Sequence, residues 1–236
     1  AYAWDLLHAI DTPVVVVGAM RNAGDRDYEG PRNITDAVRV AADPRMQGQG
    51  VTVVMDGRIL PADDVTKTDS QAIDTFQALN AGPLGHVRNA EIVLERDRRD
   101  RRMLIEWPEA AAEPVALLTA VVSTDGSLLR AAVGQGSRAV VVEATGAGNT
   151  DPDLLAAAVE AMEASVPVAL TTRCASGAVG PFYGFPGGGR SWQEAGAIMA
   201  GTLSGPKARI ALALGLGAGL DQAGLVTLLG EPPSDG

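Results

Sequence analysis

The sequence lacks the residues and segments that form disulfides, zinc clusters and membrane spans. Its 236 residues contain one cysteine, Cys174, and two histidines, so an intrachain disulfide is excluded and a zinc cluster has too few thiol and imidazole ligands. No apolar run approaches the roughly 20 residues that a membrane span needs. The chain opens without Met, a basic segment or an apolar leader. We therefore expect no metal, no cofactor and no membrane partner, and a cytoplasmic location with export as the alternative.

Basic and aromatic residues are also scarce. Nineteen basic residues stand against 29 acidic ones, which gives a net charge of −10, and aromatic residues make up 4% of the chain. A negative protein is repelled by a nucleic-acid backbone, so we expect no nucleic-acid partner. The hydrophobic fraction of 46% is that of a globular protein and excludes disorder as the main state.

Hydrophobic patterning predicts strands that alternate with helices. Four consecutive valines at 14–17 predict a buried parallel strand. A helix is predicted over 33–42, with Ile34, Ala37 and Val38 on its apolar face. A strand at 51–55 leads through Asp56-Gly57, a tight hairpin turn, into residues 58–60. In the second half we predict strands at 115–122, 139–142 and 166–170, and helices at 127–132, at 151–162 and from residues 191, 207 and 220. This order indicates an α/β fold with parallel sheets.

The composition changes sharply over residues 95–102, which hold five of the 19 basic residues. A nucleic-acid patch is one interpretation. Because Asp and Glu alternate with the arginines, a solvated connection is the favoured one. Pro108 and the Pro-bounded stretch behind it complete a linker, so we place the domain boundary there and predict domains at 1–108 and 109–236.

Two loops in the first half carry groups that could bind a ligand or take part in catalysis. The loop that starts at Gly18-Ala19 follows a strand, where exposed N–H and C=O groups can hold an amide or a carboxylate; a plain turn is the alternative. Residues 63–69 hold three carboxylates, two hydroxyls and Lys67. A lysine among carboxylates can relay a proton to or from a hydroxyl nucleophile, and a solvated polar loop is the alternative.

Three loops in the second half are less specific. Asp151 is a good N-cap before Pro152, and the Gly-rich turn ahead of it lacks the pattern of a nucleotide-phosphate loop. We interpret Cys174 as a small buried thiol, because neither His8 nor His86 is placed to serve as its base. The three glycines at 187–189 predict a flexible loop tip, whose aromatic neighbours indicate packing, with another subunit as one candidate partner.

Taken in order, the motifs of the chain are far more specific than any one of them. They are PVVVVGAMR (13–21), EGPRNI (29–34), ADDVTKT (62–68), the stretch 76–85, GAGN (146–149), TRCASG (172–177) and AGTLSGPKAR (200–209). This series resembles the bacterial-type L-asparaginase/glutaminase family, particularly its actinobacterial members. The resemblance covers almost the whole chain and only the later part of a full family member.

The resemblance implies an amidohydrolase that converts L-asparagine to L-aspartate and ammonia through a threonine nucleophile and an acyl-enzyme. It implies the remainder of an N-terminal parallel-sheet α/β domain, followed by a smaller C-terminal α/β domain with a parallel sheet. Homodimers or homotetramers are implied, with each site completed by a partner subunit. Lys67 matches the catalytic lysine, and Ala19 matches a backbone position facing the substrate amide. Asn149 and Asp151 fall in the loop that reaches the partner's site, and many members carry Asn where Asp151 stands.

The family's Thr-Gly-Gly-Thr-Ile and Thr-Asp-Thr stretches do not occur in this sequence. No threonine of the chain can therefore be assigned the nucleophile's role by motif, and we expect the chain to be a fragment that is inactive alone. A non-catalytic asparaginase-like binding or assembly module is the alternative.

Overall fold

The computed structural model of the chain describes residues 1–7, 9, 11–98 and 105–230. His8 and the arginine-rich residues 99–102 lie outside this description, so predictions about them stay predictions. Within the chain, contacts divide the backbone into two compact units, Ala1–Leu104 and Ile105–Gly236. The boundary between residues 108 and 109, placed on the predicted linker, also stays a prediction.

The first unit is a sheet with helices and a small separate hairpin. Its helices are α1 (Tyr2–Leu7), α2 (Gly30–Ala42) and a 3₁₀ turn at Pro44–Met46; its strands are β1 (Val14–Val17), β2 (Val51–Met55), β3 (Arg58–Pro61), β4 (Val65–Lys67), β5 (Phe76–Ala78), β6 (Gly85–Arg88) and β7 (Glu91–Leu94). The five-stranded sheet has the order β1-β2-β3-β6-β7, and β4 pairs with β5 alone.

Only one pair of strands in this first sheet is parallel. Strand β1 runs parallel to β2, with Val14 opposite Val51, and the remaining three pairs are antiparallel. The Asp-Gly sequence forms the hairpin turn predicted for it, with φ of 47° at Asp56 and 70° at Gly57. The predicted parallel N-terminal sheet is therefore a mixed one in the described residues. Its valine strand β1 lies at an edge and is half-buried, not fully buried.

Helix α2 presents a different face to the sheet from the one predicted. Ile34 and Val38 are 55% and 64% exposed, whereas Asn33, Ala37 and Val40 are buried. The spacing i, i+4, i+7 is that of one helix face. The polar residue Asn33 therefore lies on the buried face of the helix, where its side chain forms hydrogen bonds with the backbone of Gly18 and Asp56.

The second unit is a three-layer arrangement of helices and a parallel sheet. Its strands are β8 (Val115–Thr119), β9 (Ala139–Ala144), β10 (Val168–Thr172) and β11 (Ile198–Met199), and its helices are α3 (Ser127–Gly134), α4 (Pro152–Glu163), α5 (Gly189–Glu194), α6 (Gly205–Gly217) and α7 (Gln222–Leu229). All pairs are parallel in the order β11-β10-β9-β8. Strands β9 and β10 are central and almost wholly buried. The predicted α/β class with a parallel C-terminal sheet is confirmed.

The described helices include none that is long and apolar enough to cross a membrane.

Candidate active site

The loop after β1 is held in place by two polar side chains from the start of α2. Buried Asn33 donates from Nδ2 to the Gly18 carbonyl at 3.0 Å and accepts from the Asp56 N–H at 3.2 Å. The Glu29 carboxylate accepts from the N–H groups of Met20 and Arg21. Ala19, between these anchors, is exposed. The backbone at Ala19 is thus presented to solvent by a loop that is fixed on both sides.

Electrostatics keep the Glu29 anchor ionised. Desolvation raises the pKa of this carboxyl, but the N–H groups of Met20, Glu29 itself and Arg21, together with the Arg21 charge, bring it below its ordinary value. An ionised carboxylate accepts stronger hydrogen bonds from N–H groups than a neutral one.

The hairpin β4–β5 packs on the same cluster as the loop that bears Ala19. Val53, Met55 and Leu60 form the centre of this cluster. The partly buried side chains packed against it are Val16, Met20, Val65, Phe76 and Ala78. One hydrophobic cluster therefore supports both the residue after Ala19 and the strand that ends at Lys67.

Lys67 is the last residue of β4 and is exposed. Side chains alternate along a strand, so Lys67 shares a face with Val65, which packs towards the sheet. With Thr68, Asp69 and Ser70 it lines an open depression of about 340 Å³. The structure thus puts the ammonium group at the mouth of a depression and not in a buried position.

The acidic residues around Lys67 do not surround it as its sequence context indicated. Asp63 pairs with Arg98, and the Asp64 carboxylate accepts from the N–H groups of Asn80 and Ala81. Asp69 does interact with the lysine: the N–H groups of Gln71 and Ala72 lower the pKa of Asp69, and the Lys67 charge lowers it further. Among the described residues, no carboxylate lies within 4.0 Å of the ammonium group.

The threonine hydroxyls on both sides of the hairpin are already engaged with backbone. Thr68 donates to the Thr75 carbonyl at 2.9 Å, and Thr75 donates to the Asp69 carbonyl at 2.5 Å while accepting from the Asp69 N–H. Thr66 lies on the opposite face of β4 from Lys67. These hydroxyls hold the tip of the hairpin together, which leaves none of them poised as a nucleophile beside the lysine.

In the second unit, Asn149 closes a tight turn after β9. The backbones of Thr145 and Asn149 exchange two hydrogen bonds of 2.9 Å, and Thr145 Oγ1 donates to the Asn149 carbonyl at 2.7 Å. Gly146 and Gly148 have φ of 54° and 117°, which L side chains rarely adopt. The turn directs the Asn149 amide so that its buried Oδ1 has no hydrogen-bond partner among the described residues.

Asp151 caps helix α4, as its position before Pro152 predicted. Its carboxylate accepts from the Asp153 N–H at 2.9 Å. The neighbouring Thr150 donates from its N–H to the Gly187 carbonyl at 2.9 Å and accepts at Oγ1 from the indole N–H of Trp192. The loop that carries Asn149 and Asp151 is therefore tied to a second loop of the same unit.

Two predictions for this unit are wrong. The glycines at 187–189 are buried, and a Cβ on Gly187 or Gly189 would meet a carbonyl oxygen at 2.4 or 2.2 Å, so this segment is closely packed and not a free loop tip. Cys174 is exposed, not buried. His86 lies in the first unit, where its Nδ1 is 2.9 Å from a Glu95 oxygen.

Several residues that shape these loops were missed by sequence reasoning. Asn33, Glu29 and Arg98 gave no clear signal in the sequence, because their partners are fixed by the fold. The buried face of α2 also holds Asp36, so a polar residue did not stand out on it. Among the described residues, no group of three or more His, Cys, Asp or Glu side chains could hold a metal ion.

The fold and these loops define a two-domain α/β protein, with a lysine-bearing hairpin beside a strand-end loop in the first domain and a glycine-rich turn at a strand end in the second. Residues 1–100 match the family "Asparaginase, N-terminal", and residues 114–229 match the "Glutaminase/Asparaginase C-terminal domain". The chain belongs to the asparaginase family.

Curated relatives agree with this assignment. The chain is 33% identical to "Probable L-asparaginase periplasmic" of Haemophilus influenzae, in a match covering 92% of this chain and 62% of that protein. It is 35% identical to "Probable L-asparaginase" of Deinococcus radiodurans, over 85% of this chain and 61% of that protein. It is 31% identical to "L-asparaginase 2" of Escherichia coli, over 92% and 62% respectively. The chain thus spans about three fifths of the length of these relatives.

Proposed function

We propose that this chain is part of an L-asparaginase, an amidohydrolase that converts L-asparagine to L-aspartate and ammonia. The observation that carries the proposal is the common support of Lys67 and the Ala19 loop by one hydrophobic cluster. Family membership and the names of the relatives support the same reaction.

In the proposed reaction, a threonine hydroxyl attacks the side-chain amide carbon of asparagine. The exposed backbone at Ala19 orients that amide, and Lys67 relays the proton that the hydroxyl loses. The amide nitrogen takes up that proton as the C–N bond breaks and leaves as ammonia, and an acyl-enzyme ester remains. Water hydrolyses the ester to aspartate and regenerates the hydroxyl. The Thr68 and Thr75 hydroxyls donate to backbone carbonyls, Thr66 lies on the opposite face of β4, and the family's threonine motifs do not occur in this sequence, so we assign the nucleophile to polypeptide outside it.

Asn149 and Asp151 would bind the substrate's α-amino and α-carboxylate groups in the site of a partner subunit, within a homodimer or homotetramer. The family match supports this role, since the resemblance places both residues in the loop that reaches the partner's site. The compartment is proposed as cytoplasmic; the Haemophilus relative is named as periplasmic.

The test is ammonia release from L-asparagine by the full-length protein that carries this chain. We expect Lys67→Ala to lower kcat by about 10²- to 10⁴-fold, the usual contribution of a group that transfers protons. Lys67→Arg should also fail, because a guanidinium keeps its proton at any working pH. Arg88→Ala removes a positive charge from an exposed position of β6 and is the control. Parental kcat in Lys67→Ala would overturn the proposal.

A non-catalytic asparaginase-like binding or assembly module is the second candidate. The exposure of Lys67, with no carboxylate within 4.0 Å among the described residues, favours it. Calorimetric binding of L-aspartate or L-asparagine without any ammonia release by the full-length protein would support this candidate against the enzyme.

A further inference from the structure

A buried cluster of charges lies at the base of the hairpin that carries Lys67. The Arg98 guanidinium contacts both oxygens of Asp5, at 2.6 and 3.2 Å, and its Nη2 is 2.9 Å from Asp63 Oδ2. The side chains of Arg98 and Asp5 are only 5% and 4% exposed, and that of Asp63 is 21% exposed. One arginine thus joins α1 to the turn that leads directly into β4.

The rest of the core fixes the position of Arg98. Its Nη1 donates to the Gln49 carbonyl at 3.1 Å, and its backbone N–H donates to Gln49 Oε1 at 2.7 Å. Asp5 Oδ1 also accepts from the N–H of Val51, the first residue of β2. The guanidinium is therefore attached to the central part of the sheet, and Asp63 is the group through which it reaches the hairpin.

The Arg98 guanidinium stays protonated in this buried cluster. Burial alone lowers the pKa of the guanidinium, but the hydrogen bond to Asp5 and the charges of Asp63 and Asp5 raise it above its ordinary value. A charged, doubly paired guanidinium has a fixed planar geometry, so it holds Asp63 in one place.

Two other contacts hold the segment that leaves the same hairpin after β5. The Asp64 carboxylate accepts from the Asn80 N–H at 3.1 Å and the Ala81 N–H at 2.9 Å, just after β5. Arg96 donates to the Gly82 carbonyl at 2.7 Å. The adjacent carboxylates of Asp63 and Asp64 thus hold the segments before β4 and after β5, while Lys67 at the other end of the hairpin is exposed.

We infer that Arg98 is a positioning residue for Lys67, acting through Asp63 and the β4–β5 hairpin. This inference rests on the proposed role of Lys67. A three-residue strand pair is too short to be stable alone, so its orientation depends on the contacts that hold it. The apolar cluster supports one face of the hairpin, and Asp63 supplies the charged contact at its base. The charged run around Arg98, interpreted from sequence as a solvated connection, thus contributes a buried side chain that fixes the distance of the lysine from its substrate.

The test compares Asp63→Asn and Arg98→Lys with Asp5→Asn in the full-length protein. Asp63→Asn weakens the link to the hairpin, whereas Asp5→Asn weakens the link to α1 and keeps an oxygen for the Val51 N–H. We expect Asp63→Asn and Arg98→Lys to lower kcat by about 10- to 100-fold, the effect of misplacing a catalytic group by about 1 Å, while KM changes little. Asp5→Asn should lower Tm and lower kcat per folded molecule less than Asp63→Asn does, because Gln49 still holds Arg98 in place.

Amide hydrogen exchange supplies a readout that does not depend on catalysis. In Asp63→Asn, exchange should increase in residues 65–67 and 76–78; in Asp5→Asn it should increase in α1. If all three variants lose activity only in proportion to the folded fraction, the positioning role is overturned. If Lys67→Ala keeps parental kcat, the proposed function fails first. If Lys67→Ala is inactive while Asp63→Asn has parental kcat and exchange, only the positioning role fails.

Discussion

The indole N–H of Trp192 donates to Thr150 Oγ1 at 2.9 Å and joins the loop after β9 to helix α5. Trp192 is fully buried in the core of the second unit. The hydrogen bond therefore fixes the residue between Asn149 and Asp151 to a side chain packed in the core of this unit.

Thr150→Val should destabilise the protein by about 1–3 kcal/mol, because it leaves the buried indole N–H without an acceptor. Thr150→Ser keeps the hydroxyl and is the matched control, with an expected loss below about 1 kcal/mol. Urea unfolding followed by tryptophan fluorescence measures both. Equal stability of the two variants would show that the hydrogen bond contributes nothing.

Asn149→Ala should separate stability from function. Because the buried Oδ1 has no partner among the described residues, its removal should change the free energy of unfolding by less than about 1 kcal/mol. The KM for L-asparagine should nevertheless rise in the full-length protein. Thr145→Val, which removes a hydrogen bond to the Asn149 carbonyl, is the structural control and should lower stability. An unchanged KM in Asn149→Ala would contradict the proposed substrate contact.

Asp151 has a cap role and a proposed substrate role that two substitutions can separate. Asp151→Ala removes the N-cap of α4 and should cost about 0.5–2 kcal/mol, whereas Asp151→Asn keeps an accepting oxygen and should cost little. If the negative charge also binds the substrate's ammonium group, Asp151→Asn raises KM without lowering Tm. Thermal unfolding and steady-state kinetics on both variants decide the matter.

The Glu29 carboxylate makes the loop at Ala19 sensitive to acid. Its pKa is lower in the folded protein than its ordinary value of 4.5, so the stability that it contributes is fully present above that value. This contribution is lost as the pH falls through the lowered folded-state pKa. The difference in free energy of unfolding between the parent and Glu29→Gln should therefore shrink below pH 4.5.

Exposed Glu91, on β7, supplies the comparison for that experiment. Glu91→Gln removes a carboxylate from an edge strand without touching the Ala19 loop, so it controls for the general effect of losing one negative charge. A Glu29→Gln difference that stays constant from neutral pH to acid would contradict the assigned electrostatics.

Gly187→Ala should be far more destabilising than Gly177→Ala. Both glycines have positive φ, 87° and 94°, so both substitutions carry backbone strain. Only at Gly187 would the new Cβ meet an atom, the Thr150 carbonyl oxygen at 2.4 Å, whereas nothing lies within 4 Å at Gly177. We expect Gly187→Ala to lose an additional 1–3 kcal/mol or so from overpacking, measured by chemical denaturation. Similar losses in both variants would refute the close packing.

Local signals in the sequence predicted local structure well. The valine run gave the bounds of β1, the Asp-Gly pair gave the β2–β3 turn, and Asp151 with Pro152 gave the start of α4. Each depends on neighbours in the chain, where φ preferences and capping act.

Burial was harder to predict because it depends on distant partners. Ile34 and Cys174 are exposed and the glycines at 187–189 are packed, contrary to expectation. Apolar residues on both sides of α2 left its buried face ambiguous, and only the fold shows which carbonyl Asn33 reaches. The pairing of Arg98 with Asp5 joins residues 93 positions apart, which no local pattern reveals.

The exposed thiol of Cys174 has a practical consequence. It is the single sulfhydryl of the chain and lies two residues beyond the end of β10, where its backbone N–H is held by Thr172 Oγ1. A maleimide dye would therefore attach at one defined spot without any engineering. Its emission would report on the carboxyl edge of the parallel sheet, and oxidation of the same sulfur would link two molecules covalently wherever reductant is absent.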